Sequence, residues 1–184
     1  PELVNRKFVK CIWEFLERIM LPRIKYAFTV CESIAAIYNA RYGTNFRVVR
    51  NISSLNYEDH NDTADNPNNE KIILYQGVLN EGRGLQQAVM AMKYIEGARL
   101  VIAGDGSIKN ELTKLIDNHN LDKKVQMTGR LSIEELSKLT PKASAGISIE
   151  EDLAMNYHFA LPNKLFDYIQ AQVPVIVSDL PEMA

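Results

Sequence analysis

The sequence predicts an α/β protein built around a doubly wound, Rossmann-like parallel sheet. From Lys71 onward, short apolar segments that fit buried strands alternate with amphipathic helical segments. That alternation is typical of a parallel sheet covered by helices on both faces. Glycine-rich or charged loops follow several of the predicted strands. Because ligands of such folds bind beside the carboxyl ends of the strands, we expect the binding site in these loops.

The first 53 residues are predicted to form an amphipathic helix followed by a strand–helix–strand unit. Apolar residues recur at helical spacing through the first segment, with charged residues on the other faces. The predicted elements are a helix over 4–20, a strand over 26–30, a helix from Ser33, its N-cap, to Tyr42 with Gly43 as its end, and a strand over 46–50.

Residues 54–70 are predicted to be an exposed linker, and residues 71–184 are predicted to form the Rossmann-like domain. The linker is rich in Asn and Asp and lacks any apolar period. In the domain, strands are predicted at 72–75, 98–103, 125–128, 145–149 and 174–177, and helices at 84–94, 107–119, 132–139 and 164–171.

Composition and charge exclude several classes of function. With 184 residues, 46% of them hydrophobic, the chain can bury a substantial core. Its net charge of −2 and pI near 6.0 argue against a nucleic-acid partner. Cys11 and Cys31 are too few for a disulfide framework or a zinc site, which favours a reducing, cytoplasmic location. The sequence carries no signal-peptide pattern and no apolar run long enough to cross a membrane.

The segment around Asn163 is predicted to bind an anion. Asn163 is a suitable N-cap after Pro162, so a helix beginning near Lys164 would present unpaired N–H groups to a phosphate. Lys164 would add a mobile positive charge, and the Asp167 carboxylate one turn later would accept hydrogen bonds from sugar hydroxyls. A capped helix before a buried strand remains the simpler alternative.

Three further loops follow predicted strands and carry candidate ligand contacts. Gly77 begins a glycine-rich loop in which Arg83 can reach a phosphate bidentately. Gly104 and Gly106 flank an aspartate at a helix start, which is half of a dinucleotide fingerprint. The third loop contains Thr128-Gly-Arg-Leu131, where the backbone can approach a flat ring. Each of these loops, taken alone, also fits an ordinary turn.

These segments, taken in order, resemble the donor-binding half of the GT-B glycosyltransferases, specifically glycosyltransferase family 4. The segments that carry the resemblance are Leu74-Tyr-Gln-Gly77 with Glu81-Gly-Arg-Gly84, Leu100-Val-Ile-Ala-Gly-Asp-Gly106, Val125 to Leu131, Ser132-Ile-Glu-Glu-Leu136 and Leu161-Pro-Asn-Lys-Leu-Phe-Asp-Tyr168. The resemblance covers nearly all of 71–184. Residues 1–53 resemble the end of the acceptor-side domain that precedes the donor half in this family.

The resemblance implies transfer of a sugar from a UDP- or GDP-sugar to a glycan or lipid-linked acceptor in polysaccharide or glycolipid biosynthesis. It places Arg83 and the backbone near Lys164 and Leu165 on the diphosphate, Asp167 on the ribose, and the backbone near Arg130 and Leu131 on the base. It also implies retention of configuration. No metal or other cofactor is expected, because cationic groups and a helix N-terminus can stabilise the leaving diphosphate.

The sequence departs from the family pattern at one acidic position. Many members place two glutamates eight positions apart, whereas here Phe159 stands eight positions before Asp167. Glu150 or Glu151 is the candidate replacement. The missing acid leaves open an alternative function, that of a nucleotide-binding or interaction module without catalysis.

Two expectations concern the ends of the chain. The resemblance implies a donor domain truncated at its C-terminus and only a remnant of the acceptor domain, so this fragment alone is expected to be inactive. The first helix carries Phe8, Trp13 and Phe15 near basic residues, a pattern that also fits peripheral contact with the inner membrane. Burial of that apolar face against the acceptor domain is the favoured expectation.

Overall fold

Two parallel sheets organise the part of the chain that the computed structural model describes, residues 7–52 and 71–183. These residues divide into two units. The first unit contains residues 7–51, 152–161 and 179–183, and the second contains residue 52 with 71–151 and 162–178. The predicted linker over 54–70 lies outside the described residues.

Strands and helices alternate along the described residues, which confirms the predicted α/β class. The strands are β1 (Ala27–Thr29), β2 (Phe46–Val48), β3 (Lys71–Gln76), β4 (Ala98–Ala103), β5 (Val125–Gly129), β6 (Ala145–Ser148) and β7 (Val175–Val177). The helices are α1 (Lys7–Met20), α2 (Glu32–Tyr42), α3 (Leu85–Ala91), α4 (Lys109–Asn118), α5 (Ile133–Leu139), α6 (Met155–His158) and α7 (Asn163–Gln170). Short 3-10 turns extend α1, α3 and α5 at Leu21–Arg23, Met92–Tyr94 and Thr140–Lys142.

Two details of the first unit differ from the prediction. Helix α2 begins at Glu32, so Cys31 occupies the N-cap position that the sequence assigned to Ser33, and no side chain caps the helix. Its end agrees with the prediction, since Gly43 adopts the left-handed conformation at φ 64° that favours glycine. Helix α6 was not predicted, because its four residues are too few to generate a helical period.

In the first unit, β1 and β2 pair in parallel, with Ala27 opposite Phe46. The Tyr42 hydroxyl of α2 donates to Glu17 Oε2 of α1 at 2.8 Å. The apolar face of α1 is exposed among the described residues, and Phe8, Trp13 and Phe15 all lie open to solvent. The favoured expectation that this face is buried is therefore not met within them. No helix in the described ranges has the length and apolar character that a membrane span requires.

The second unit is built on a five-stranded sheet with the order β5-β4-β3-β6-β7, and every neighbouring pair is parallel. The pairing of β4 with β5 contains one register shift, between Ile102 and Ala103. All five carboxyl ends lie along the same edge because the strands are parallel. The loops that the sequence singled out are therefore gathered at one edge of one sheet.

Strand β4 illustrates why both faces of this sheet are covered. Leu100 and Ile102 belong to one buried cluster, with Leu85 and Leu112 of the helices on that face. Val101 and Ala103 point the other way, into a second cluster that includes Tyr168 of α7. Side chains alternate between the two faces of a strand, so a continuous apolar strand fits a sheet that is buried on both sides. The two layers hold the loops at the sheet edge in place.

The strand order reverses direction at β3. From β3 the chain adds β4 and then β5 on one side of the sheet, and then crosses to add β6 and β7 on the other side. In an open α/β sheet, such a reversal leaves a crevice at the carboxyl ends of the two strands that flank it. The topology thus places the expected ligand site at the ends of β3 and β6.

Candidate functional site

Three charged side chains meet at the reversal point between β3 and β6. Glu150 lies two residues beyond β6, Arg83 lies in the loop after β3, and Lys164 is the second residue of α7. Lys164 Nζ lies 2.8 Å from Glu150 Oε1, and Arg83 NH1 lies 3.2 Å from the same oxygen. We call these three residues the charge cluster. One carboxylate is shared by two cations, so the cluster carries a net positive charge.

Glu150 is the buried centre of the charge cluster. Its side chain is 0% exposed, and its second oxygen, Oε2, accepts a hydrogen bond from the Ser148 hydroxyl at 2.8 Å. The Ser178 hydroxyl donates to its backbone carbonyl at 2.7 Å. Burial, the largest single cause, would raise the pKa of Glu150, but the charge and hydrogen bond of Lys164 together with the hydrogen bonds from Ser148 and the backbone hold that pKa below its usual range. Glu150 is therefore an ionised, fully paired carboxylate.

Lys164 is also buried, with a side chain that is only 7% exposed. Its ammonium lies 4.2 Å from the centre of the Tyr75 ring, close enough for a cation–π contact. Burial lowers the pKa of Lys164, the Glu150 carboxylate opposes that shift, and the Arg83 charge adds to it. The sequence predicted a mobile charge at this position, whereas the structure holds Lys164 against a carboxylate and a ring.

Arg83 is the most exposed member of the charge cluster, since 29% of its side chain is accessible. The loop that carries it is fixed on both sides. Gly84 adopts φ 65°, and a Cβ there would lie 2.3 Å from the Ile149 carbonyl oxygen. The Glu151 N–H donates to the Gly82 carbonyl at 2.9 Å. This loop can pack against the segment after β6 only because residue 84 is glycine, and Arg83 is thereby held next to Glu150.

The second candidate acid, Glu151, has different surroundings. Its carboxylate accepts a hydrogen bond from Gln87 Nε2 at 3.1 Å on the surface of α3. The two adjacent glutamates are thus separated by the structure, one inside the charge cluster and the other at the surface.

Asp167 is held by residues that the sequence did not single out as functional. Gln76, at the end of β3, donates from Nε2 to Asp167 Oδ2 at 2.7 Å. The Thr140 hydroxyl donates to Gln76 Oε1 at 2.9 Å, which fixes the orientation of the amide. A polar residue at the end of the apolar run 72–75 was the available signal for Gln76, because a buried amide requires partners.

The start of α7 differs from the prediction by one residue. Asn163 is the first helical residue, Pro162 occupies the N-cap position, and no side chain caps the helix. The predicted cap at Asn163 is therefore wrong. The Leu165 N–H already donates to the Pro162 carbonyl at 3.0 Å, as in a tight first turn. Leu165 itself is buried, whereas Asn163 is exposed.

The glycine loops after β3 and β4 pack directly on each other. A Cβ on Gly104 would lie 1.8 Å from the Gly77 carbonyl oxygen, and one on Gly106 would lie 2.3 Å from the Leu79 carbonyl oxygen. The Gly77 N–H donates to the Ala103 carbonyl at 2.9 Å. At Gly104 and Gly106, the need for glycine is explained by the approach of two protein backbones.

The aspartate between those glycines is engaged with its own helix. Asp105 Oδ2 lies 3.1 Å from Lys109 Nζ, and its Oδ1 accepts the Gly106 N–H at 2.9 Å. The Lys109 hydrogen bond, the Gly106 hydrogen bond and the more distant charge of Arg130 lower the pKa of Asp105. Asp105 is therefore an ionised carboxylate whose charge Lys109 balances, so this exposed pair is neutral overall.

Arg130 and Leu131 follow β5, which is two strands away from β3 in the sheet. Neighbouring strands are about 4.8 Å apart, so this loop begins about 10 Å along the edge from the end of β3. Arg130 is exposed, and Leu131 packs against the buried cluster around Tyr168. The predicted base contact and the predicted phosphate contact thus lie at different positions along one edge.

Phe159 belongs to the first unit. Its ring packs edge-on against that of His158, with centroids 4.6 Å apart, and its carbonyl accepts a weak hydrogen bond from the Cys31 thiol at 3.7 Å. His158 Nδ1 lies 2.9 Å from Asp152 Oδ2. Within residues 7–52 and 71–183, no three His, Cys, Asp or Glu side chains are grouped in a way that could hold a metal ion.

Comparison with known proteins identifies a family. The protein-family model described as "Glycosyl transferases group 1" matches residues 56–184, more than half of the chain. No curated protein sequence matches the chain.

Several solved structures share its fold. Sucrose-phosphate synthase from Thermosynechococcus elongatus is 20% identical, with a TM-score of 0.70 over 98% of this chain and 46% of that one. HepE from Anabaena, in complex with UDP and glucose, is 11% identical, with a TM-score of 0.68 over 95% of this chain and 50% of that one. A variant of TarM from S. aureus, in complex with fondaparinux, α-GlcNAc-glycerol and UDP, is 17% identical, with a TM-score of 0.66 over 94% of this chain and 33% of that one. The chain thus spans between a third and a half of the length of these proteins.

Proposed function

Because the chain belongs to the group 1 glycosyl transferases, we propose that it carries the donor site of an enzyme that transfers a sugar from a nucleoside diphosphate sugar. The charge cluster at the reversal point between β3 and β6 is the observation that carries this proposal. It combines a net positive charge with a position where ligands of open α/β sheets bind.

Arg83 is the proposed contact for the diphosphate. Its guanidinium combines partial exposure with a fixed position, and it can donate two parallel hydrogen bonds to phosphate oxygens. Lys164 would attract the diphosphate as a buried positive charge next to Arg83, rather than as a flexible side chain that reaches the phosphate. The backbone at the start of α7 would add its partial positive charge to the same anion.

The remaining parts of the donor are assigned along the edge of the sheet. Asp167, held by Gln76, would accept hydrogen bonds from the ribose hydroxyls. The backbone near Arg130 and Leu131 would meet the base, at a distance along the edge that suits a nucleotide extended from β3 toward β5. UDP- and GDP-sugars are the proposed donors, and the complexes of HepE and TarM with UDP support the first of these.

The proposed chemistry is metal-independent transfer of the family 4 type with retention of configuration. As the glycosidic bond to phosphate breaks, negative charge grows on the leaving diphosphate, and Arg83 with Lys164 would stabilise it at fixed positions. Preorganised cations need no reorganisation when that charge develops. Glu150 fits a supporting role better than that of a nucleophile or base, because its carboxylate is fully buried and already receives three donors.

For the acceptor and the cellular location, we propose classes rather than individual molecules. A glycan or lipid-linked acceptor fits the family, and we propose a cytoplasmic enzyme of polysaccharide or glycolipid biosynthesis. The exposed apolar residues of α1, among them Trp13, support peripheral contact with a membrane surface.

Calorimetric titration with UDP, GDP, ADP and CDP tests the donor-site proposal. One nucleotide should bind in preference to the others, and the matching nucleotide sugar should compete with it. Arg83→Ala should weaken binding about tenfold or more, since hydrogen bonds to charged groups contribute roughly 1.5 to 3 kcal/mol. No binding of any of the four nucleotides at millimolar concentration would contradict the proposal. In a longer protein that combines this chain with an acceptor domain, nucleotide binding without transfer or hydrolysis of the sugar would instead support a nucleotide-binding module.

A further inference from the structure

Glu150 is the member of the charge cluster whose contribution the donor-site proposal leaves unexplained. We propose that Glu150 is a positioning residue: it orients Arg83 toward the donor diphosphate and keeps the neighbouring Lys164 in its charged form. This inference rests on the proposed function, because it concerns how the same site binds its ligand.

The contacts of Glu150 fix it from the side of the sheet. Ser148, the last residue of β6, donates to Oε2 at 2.8 Å, and the Ser178 hydroxyl donates to the backbone carbonyl at 2.7 Å. The other carboxylate oxygen receives both cations. Because both carboxylate oxygens are engaged, Glu150 fixes the positions of the side chains that donate to it. Among these side chains, Arg83 is the one that is partly exposed to solvent.

This geometry argues against two other roles. If Glu150 were a stand-in that the diphosphate displaces, its carboxylate would have to leave three donors and move into solvent or into the sheet. If it acted on the substrate directly, it would need an accessible oxygen, but its side chain is 0% exposed. Both arguments favour a carboxylate that stays in place and acts through Arg83 and Lys164.

The charge of Lys164 depends on Glu150. The groups that face Lys164 are Glu150 from the segment after β6, Arg83 from the loop after β3 and the Tyr75 ring from β3. Burial and the Arg83 charge both lower the pKa of Lys164, and the Glu150 carboxylate opposes them. Without that carboxylate, Lys164 would lose its proton at a lower pH. The site would then offer one cation to the diphosphate where it now offers two.

The test measures the affinity for UDP-glucose and GDP-mannose between about pH 6 and pH 9 in the unaltered protein, Glu150→Gln, Glu150→Asp and the double variant Glu150→Gln/Lys164→Met. Both phosphates of a nucleotide sugar are esterified, so they do not titrate in this range. Affinities are expressed relative to the unaltered protein at each pH, which cancels ionisation of the base. Glu134→Gln is the matched control, because Glu134 pairs with Lys138 on the exposed surface of α5.

We expect Glu150→Gln to lose about tenfold in relative affinity between pH 6 and pH 9, as Lys164 gives up its proton. The double variant should bind weakly at every pH, because it has no lysine to titrate. Glu150→Asp should show a smaller loss in the same direction, and Glu134→Gln should follow the unaltered protein. Thermal unfolding shows which variants are folded. If Glu150→Gln does not fold, the pH profile of Glu150→Asp tests the inference in its place.

Three results would overturn the inference. A pH profile of Glu150→Gln that matches the unaltered protein, or a flat Glu150→Asp profile where the first variant does not fold, would remove the role assigned to Glu150. Tighter binding by Glu150→Gln would identify the carboxylate as a competitor of the phosphate. In these cases the unaltered protein still binds its donor, so the proposed function stands. If the unaltered protein binds neither of these nucleotide sugars and none of UDP, GDP, ADP and CDP, the inference and the proposed function fail together.

Discussion

The loops after β4 and β6 lie on the same edge of one sheet, yet their residues are constrained by different forces. In the β4 loop, Gly104 is required because the Gly77 backbone passes 1.8 Å from where a Cβ would lie, and its charged residues form an exposed pair. Beyond β6, Glu150 is buried and receives two cations. The first loop is constrained by packing between backbones, and the second by charge.

This difference is the reason why the charge cluster, and not the β4 loop, is the proposed anion site. Asp105 and Lys109 form an exposed, neutral pair at the β4 loop, so the pair offers no net attraction to a phosphate. The charge cluster instead keeps a net positive charge next to a partly exposed guanidinium, at the expense of burying charged groups. Glu150 and Lys164 are each other's partners inside the protein, and Arg83 is the member of the cluster that is exposed enough to meet a ligand.

Lys164→Met should give the largest loss of stability. The substitution removes the closer of the two cations from Glu150 and leaves the buried carboxylate with Arg83 as the remaining cation of the charge cluster. Breaking a buried ion pair costs about 3 to 5 kcal/mol, which urea unfolding followed by circular dichroism would measure. The double variant Glu150→Gln/Lys164→Met should recover most of that loss, since no buried charge is left unpaired. A loss below about 1 kcal/mol in the single variant would contradict the buried pairing.

Gly104→Ala should come next, with a loss of about 3 kcal/mol. The new methyl group would meet a backbone oxygen, which cannot rotate away as a flexible side chain can. Gly97→Ala is the comparison variant, because Gly97 has a left-handed φ of 71°, which Gly104 lacks, but no atom within 4 Å of the added Cβ. That variant should lose only about 1 to 2 kcal/mol. A loss at Gly104 no larger than the loss at Gly97 would contradict close backbone packing as the reason for the glycine at 104.

Acid should weaken the charge cluster. The pKa of Glu150 in the folded protein lies below its ordinary value of 4.5. The stability that its charge contributes is therefore fully present above about pH 4.5 and is lost as pH falls through the lower, folded pKa. Urea midpoints measured between pH 7 and pH 3 should fall less steeply for Glu150→Gln than for the unaltered protein. Parallel curves for the two proteins would contradict the sign of this shift.

Glu134→Gln should give the smallest effect. Glu134 and Lys138 pair at 2.6 Å on one turn of α5, with side chains that are 79% and 64% exposed. Solvent screens such pairs, so the change in unfolding midpoint should not exceed replicate scatter. A loss comparable to that of Lys164→Met would show that burial does not distinguish the two ion pairs.

Much of this fold could be predicted from the sequence, because strand and helix periods are local. The apolar run at Ala98 to Ala103 marked β4 at its observed bounds, and Gly43 marked the end of α2. Helix starts were less accurate. Ser33 and Asn163 both have cap-forming side chains, but Ser33 is the second residue of α2 and Asn163 is the first residue of α7. The choice among neighbouring cap positions depends on tertiary packing, which no local pattern records.

The site was predictable only in part. Arg83, Lys164 and Glu150 were each singled out, but their meeting on one oxygen depends on the strand order, which places β6 beside β3. The same strand order buries Lys164 against Glu150, so the prediction of a mobile lysine was wrong. Gln76 and Thr140 were missed, because a single polar residue next to an apolar run carries no pattern until its partner is known.

The comparison between the two loops is tested most directly by UDP titration of Arg83→Ala beside Lys109→Ala, with GDP in its place if GDP is the nucleotide that binds. Both substitutions remove one cation that is paired with a carboxylate, from the charge cluster in one case and from the β4 loop in the other. Arg83→Ala should weaken binding about tenfold or more, and Lys109→Ala by less than about twofold. A larger loss from Lys109→Ala would point to the β4 loop as the diphosphate site, and equal losses would show no preference for the charge cluster. Either result would contradict the central claim.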